Sequence, residues 1–256
     1  MTFSQIIILF VAAILGGMLN SVAGGGTFIT LPALIFTGVP PINANATSTV
    51  ALWPGSVASI WAYRLEMAKQ RRVLVIVLGV TSLVGGVLGA ELLVHTSQST
   101  FVKLLPYLLL LATVLFAVSG PVTTRLRRRS KGSERLSWPV LVGIAFLQLI
   151  IAIYGGYFGG GIGILMLATL GLMGMENIHE MNAMKTLLTA FINGVAVVIF
   201  IVRGIVLWPQ ALLMVAGAIV GGYAGAFYAR KIEQKWVRAF VIVVGVSMTI
   251  YFFLRS

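Results

Sequence analysis

Residues 157–166 read YFGGGIGILM, and residues 23–32 read AGGGTFITLP. Each stretch places three consecutive glycines inside an apolar run. Glycine costs about 1 kcal/mol against alanine in a helix interior. Each triplet is followed by a short apolar piece, 27–39 and 162–175, of which about 13 residues are too few for a straight membrane crossing. The two triplets are therefore read as helix breaks.

The chain around them is 59% hydrophobic and only 9% charged, with a mean hydropathy of +1.03. A soluble domain carries about 25% charged residues, so this composition describes an integral membrane protein. Long continuous apolar runs favour helices over the alternating strands of a barrel. Cysteine and aspartate are absent, which excludes disulfides, thiolate chemistry and aspartyl-phosphate pumps. No GxxxxGK[ST] stretch is present, so no ATP-binding loop is expected, and neither is any cofactor. The spans hold no paired carboxylates and no Ser/His/Asp set, which argues against an enzyme. The first 26 residues lack Lys and Arg, so the opening segment is read as a retained span rather than a signal peptide.

Eight long apolar segments lie at 4–22, 44–63, 73–93, 103–120, 138–157, 181–202, 209–229 and 236–254. Fourteen of the 18 basic residues fall in three loops, 64–72, 121–137 and 230–238. Such clusters at span ends mark the cytoplasmic side and membrane lipid, rather than nucleic acid, as the setting of the +12 net charge. If the short pieces only dip in and return, loop 230–238 falls on the wrong side. If both cross, all three basic loops lie inside. The expectation is an all-α membrane fold with eight long transmembrane helices, two short broken segments, and both termini outside.

The halves match one another. GGGTFITLPALIFTGVPPINANATS (24–48) aligns with GGGIGILMLATLGLMGMENIHEMNAMK (159–185), and GGVLGA (85–90) with GGYAGA (221–226). Five segments per half, an odd number, would make the second half enter from the opposite side. The expected organisation is a first repeat at 1–120, a basic cytoplasmic linker at 121–137 and a second, inverted repeat at 138–256. Inverted repeats with interrupted helices are a transporter design, with the substrate where the halves meet.

The candidate site follows from the breaks. A helix starting after a break points its N–H groups into the gap and attracts anions. Gly24, Gly25 and Gly26 on one side, and Gly159, Gly160 and Gly161 on the other, are candidates to cradle a small anionic substrate. Close packing of small residues is the alternative reading, and it suits Gly85, Gly86, Gly89, Gly221, Gly222 and Gly225. Two helices also carry polar stripes on one face: Asn182, Lys185, Thr186, Thr189 and Asn193, and in the repeat Asn45, Ser48, Thr49 and Ser56. Asn45, Thr47 and Ser48 from one half, with Asn182, Lys185 and Thr186 from the other, are the expected donors to the anion. Structural hydrogen bonding between helices would explain the Ser and Thr positions as well. Lys185 either snorkels to the interface or pairs with an anion. Glu91 and His95, four apart, form either an interfacial pair or a proton relay for coupling. Arg203 is read as an interfacial anchor. Glu176, His179 and Glu180 lack a defined ligand spacing, so no metal site is expected.

The run AGGGTFITLPALIFTGVPPINANATST (23–49), with NAMKTLLTAFINGVAVVIF (182–200), Trp208 and GGYAGA (221–226), resembles the TauE/SafE family of sulfite exporters across nearly the whole chain. The resemblance implies export of a small sulfur-containing anion, sulfite or an organosulfonate, across a bacterial inner membrane, along a pathway built by two repeats. Met184-Lys185 stands where Thr-Ser is frequent in the family, so the substrate is less determined than the role. A passive anion channel and a non-transporting scaffold are the rival readings. Proton coupling is the default expectation. Homodimerisation through the small-residue faces is left open.

Overall fold

A computed structural model of the chain describes residues 1–129, 138–173, 175, 177–228 and 234–254. Every regular element among the described residues is an α-helix: α1 Phe3–Ala23, α2 Thr27–Phe36, α3 Pro41–Ala62, α4 Arg64–Met67, α5 Arg72–His95, α6 Gln98–Arg129, α7 Trp138–Tyr157, α8 Ile162–Leu172, α9 Ile178–Val202, α10 Trp208–Tyr228 and α11 Gln234–Phe253. Among the described residues four stretches are long and apolar enough to cross a membrane by length and composition: Phe3–Asn20, Arg72–His95, Gln98–Leu115 and His179–Val202. Shorter apolar helical stretches occupy Thr27–Phe36, Leu141–Tyr157, Trp208–Ala224 and Ile242–Phe253.

Both breaks fall at the triplets. α1 ends on Gly24, whose left-handed backbone (φ 74°) lets its N–H reach back to the carbonyls of Leu19 and Asn20. This is the glycine stop of a helix, at a conformation that costs other residues a steric penalty. After α7, Gly159 and Gly161 are also left-handed (φ 76° and 75°), and α8 begins at Ile162. At α3, Pro41 takes the first helical position, where a missing N–H costs nothing.

Three sequence expectations change. The loop 64–72 contains a helical turn, α4, and residues 234–238 of the third basic loop already belong to α11. Residues 121–129, read as the start of a loop, continue α6 through Arg129. Arg and Leu are good helix formers, and a basic run does not by itself end a helix. Residues 130–137 of the basic linker, 229–233 of the third basic loop, Gly174 and Glu176 lie outside the described residues.

The long helices pair across the chain. α1 lies along α10 and α5 along α7, while α3 packs on α9 and α6 on α11. Small residues set the first two contacts. A Cβ on Gly221 would run into the Ile14 carbonyl of α1, and one on Gly89 into the Ile153 carbonyl of α7. The helices approach backbone to backbone, as small residues permit in lipid. Gly221→Leu and Gly89→Leu should therefore each cost roughly 1–3 kcal/mol or more by overpacking. Gly143→Ala, with open space around its Cβ position, should cost little. Melting of the purified protein in detergent checks the contrast.

Candidate functional site

The breaks leave backbone groups that lipid cannot satisfy. Several carbonyls find protein donors. Tyr154 Oη donates to Gly160 O at 2.9 Å, and Thr30 Oγ1 to Gly26 O at 3.1 Å. Asn45 Nδ2 donates to Tyr157 O at 3.0 Å, crossing from α3 to the end of α7. At the start of α2 the N–H groups of Phe28 and Ile29 turn back to Gly25 O and Gly26 O, both at 3.1 Å, and no side chain caps α2 or α8. The first break and the start of α8 come close together: a Cβ on Gly24 would lie 3.7 Å from Gly163 Cα, and one on Gly163 would lie 3.3 Å from Lys185 Cδ. The stem of Lys185 thus lies over the start of α8.

These elements border a cavity of about 490 Å³, inside the range of roughly 300–1,000 Å³ usual for small-molecule sites. Gly24 and Thr27 come from the first break, and Gly159, Ile162 and Gly163 from the second. α9 contributes Lys185, Thr186, Thr189 and Asn193, and α3 contributes Thr49, Leu52, Pro54 and Ser56. Asn20 adds an amide from α1 and donates to Ser56 Oγ at 3.3 Å. The exposed rim is formed by Ala58, Ile219 and Tyr223, near the ends of α3 and α10 that lead into basic loops 64–72 and 230–238. Among the described residues Lys185 is the one Lys, Arg, His, Asp or Glu on the wall, and none forms an ion pair with it.

The opposite end is tied shut by polar contacts. Asn43 Nδ2 donates to Ile205 O at 2.8 Å, and Gln98 Nε2 to Asn43 Oδ1 at 3.1 Å. The Leu207 N–H donates to Thr47 Oγ1 at 3.1 Å. Arg203 Nη2 meets Glu91 Oε2 at 2.8 Å, joining the ends of α9 and α5.

Gly24, Gly159, Lys185 and Thr186 are therefore brought together at the cavity, along with stripe residues Thr49, Ser56, Thr189 and Asn193. Gly25, Gly26, Gly160, Gly161 and Asn182 do not line it. Asn45, Thr47 and Ser48 do not line it either; they are buried and bonded to Tyr157 O, Leu207 N–H and Thr30 Oγ1. Arg203, read as an interfacial anchor, is instead the close partner of Glu91, with His95 Nδ1 farther from that carboxylate at 3.6 Å. Glu180 accepts from Asn177 Nδ2 at 3.3 Å beside the α9 N-cap, and His179 is exposed. Glu176, the third of that group, lies outside the described residues. Asn20, Thr27, Tyr63 and Gly163 were not singled out from sequence. A lone Asn in an apolar span was the available signal for Asn20.

Because Asn45 holds a buried carbonyl, Asn45→Ala should lower stability by about 1–3 kcal/mol. Thr186→Ala, on the cavity wall, should change stability much less. Thermal melting of both variants without added anion separates the two roles.

The sequence model described as "Sulfite exporter TauE/SafE" matches residues 9–252. A "Probable membrane transporter protein" of Haemophilus influenzae is 29% identical over 244 residues, covering 94% of this chain and 92% of its own. "Probable membrane transporter protein ORF9" of a Sinorhizobium species is 28% identical, covering 98% of this chain and 93% of its own. "Probable membrane transporter protein YfcA" of Escherichia coli is 28% identical, covering 94% of this chain and 87% of its own. No solved structure matches the chain. With a lysine-bearing cavity between two broken helices and a family match over nearly its full length, the chain is an integral membrane protein and belongs to the TauE/SafE family of membrane transporters.

Proposed function

We propose that the protein is a secondary transporter that exports a small anion, sulfite or an organosulfonate, across a bacterial inner membrane by alternating access. The observation that carries this reading is Lys185: an ammonium without a carboxylate partner among the described residues, facing a cavity at the starts of two broken helices. An intramembrane cation of this kind is costly unless it serves a ligand. The N–H groups opening α2 and α8 add partial positive charge from two directions. Thr186, Thr189, Ser56 and Thr27 supply hydroxyls around it.

The chain is divided into repeats 1–120 and 138–256, of inverted topology, joined by the cytoplasmic basic segment 121–137. The reciprocal pairings support this. The first helix of each half lies along the fourth crossing of the other, α1 on α10 and α7 on α5. Equivalent glycines, Gly85 and Gly221, sit in those two contacts. Ten crossings, two of them short, then place every basic loop inside. On that topology the rim of the cavity faces the cytoplasm and the Asn43, Thr47 and Arg203 contacts close the outer side, an inward-facing arrangement. A closed outer end speaks for a carrier over an open channel.

Sulfite counterflow in proteoliposomes tests the reading. Labelled sulfite should enter faster into vesicles loaded with unlabelled sulfite, and Lys185→Ala should reduce that entry at least tenfold with normal expression and folding. Entry in the variant at the wild-type rate would remove Lys185 from the site. An absence of counterflow with sulfite and with organosulfonates alike would sink the transporter reading.

A further inference from the structure

We infer that transport is an electrogenic uniport in which Lys185 neutralises a monovalent anion, so that the loaded carrier crosses the membrane without net charge and the returning carrier moves one positive charge. The inference rests on the anion-transport reading above and adds its energy source.

The charge inventory around the cavity carries it. Lys185 is the one Lys, Arg, His, Asp or Glu among the described lining residues. The sequences of α1, α2, α3, α8 and α10 contain none of these residue types. Among the described residues, the other titratable groups sharing the wall are the phenols of Tyr63 and Tyr223. The other helices packed on α9 offer no relay. α5 contributes Glu91 and His95, but Glu91 is held by Arg203 away from the cavity. Its remaining charged residue, Arg72, lies at its opposite end. α7 contributes Tyr154 and Tyr157, and Tyr154 Oη is donated to Gly160 O. α4 contributes Arg64 and Glu66, neither of which lines the cavity. On α9 itself, His179 and Glu180 stand before the first buried turn and do not line it.

Among the described residues no carboxylate faces the cavity to exchange a proton with Lys185, Glu134, Glu176 and Glu233 lying outside them, so on this proposal the charge of Lys185 is balanced by the anion itself. Each full cycle then moves one negative charge outward. The inside-negative potential of a cell favours this direction, and at equilibrium it holds a monovalent anion about fifty-fold lower inside per 100 mV. No proton gradient enters the balance.

The test uses the full-length protein in proteoliposomes with methanesulfonate, whose single charge does not change with pH, or another monovalent sulfonate that counterflow shows to be carried. Valinomycin and a potassium gradient set the potential. Starting from equal anion on both sides, an inside-negative 100 mV step should lower the internal concentration toward the roughly fifty-fold limit. A pH gradient at zero potential should move nothing. One-for-one exchange, which uses only the neutral loaded carrier, should be unchanged by the same potential. In Lys185→Gln, residual exchange should become voltage-sensitive, while Lys185→Arg should keep the wild-type pattern. Net flux that follows the pH gradient and ignores voltage overturns the inference, as does voltage-sensitive exchange in the wild type. In both of those cases exchange is intact, so the transport reading survives. A loss of exchange with every anion removes both together.

Discussion

Inside a membrane a helix can be interrupted only where the freed backbone groups find partners or reach water. The architecture around residues 24–26 and 159–161 answers that constraint. Left-handed glycines stop the chain tightly, and side chains from elsewhere cover the exposed carbonyls: Tyr154 at Gly160, Asn45 at Tyr157, Thr30 at Gly26. The first break, at Gly24, lies close to Gly163 at the start of α8 and near the stem of Lys185, and the electropositive starts of α2 and α8 border one cavity. The break therefore gives both the fold irregularity and the chemical character of the site.

The same constraint divides the polar residues of α3 and α9 into two groups. Toward one end, Asn43, Asn45, Thr47 and Ser48 are occupied by backbone and hydroxyl partners and hold the helices together. Farther along, Thr49 and Ser56 of α3 face Thr186, Thr189 and Asn193 of α9 across open volume. A carrier needs both: a closed end that excludes the substrate from one side and a wetted end that admits it from the other. On the proposed alternating-access reading, the two groups would exchange roles in another conformation. Polar side chains that can either pair with one another or face water suit that exchange better than an apolar seam would.

Much of this was legible before any coordinates. The glycine triplets, the short segments after them and the lysine about one turn inside the apolar span 181–202 stand out against an apolar background, because each violates what lipid favours. Helix periodicity put Lys185, Thr186, Thr189 and Asn193 on one face, and they share the cavity. The residues that periodicity misplaced are instructive. Asn45 lies on the corresponding face of α3, yet its amide is committed to a carbonyl 112 positions away. Spacing along one helix says which residues point together and nothing about the neighbour they meet. The same limit explains Arg203, whose partner Glu91 is on another helix 112 residues earlier. Gly163 and Thr27 escaped notice because their importance is positional: they matter for where two backbones approach, which no composition signal records.

The central claim is that an anion sits beside Lys185 at the starts of α2 and α8. Its most direct test is a structure of the purified protein soaked in selenite, a heavier analogue of sulfite whose anomalous signal locates it. The account predicts a single strong site within hydrogen-bonding distance of Lys185 Nζ and of N–H groups at the beginning of α2 or α8. Selenite bound only at the basic loops, or a cavity left without signal at saturating concentration, would contradict it.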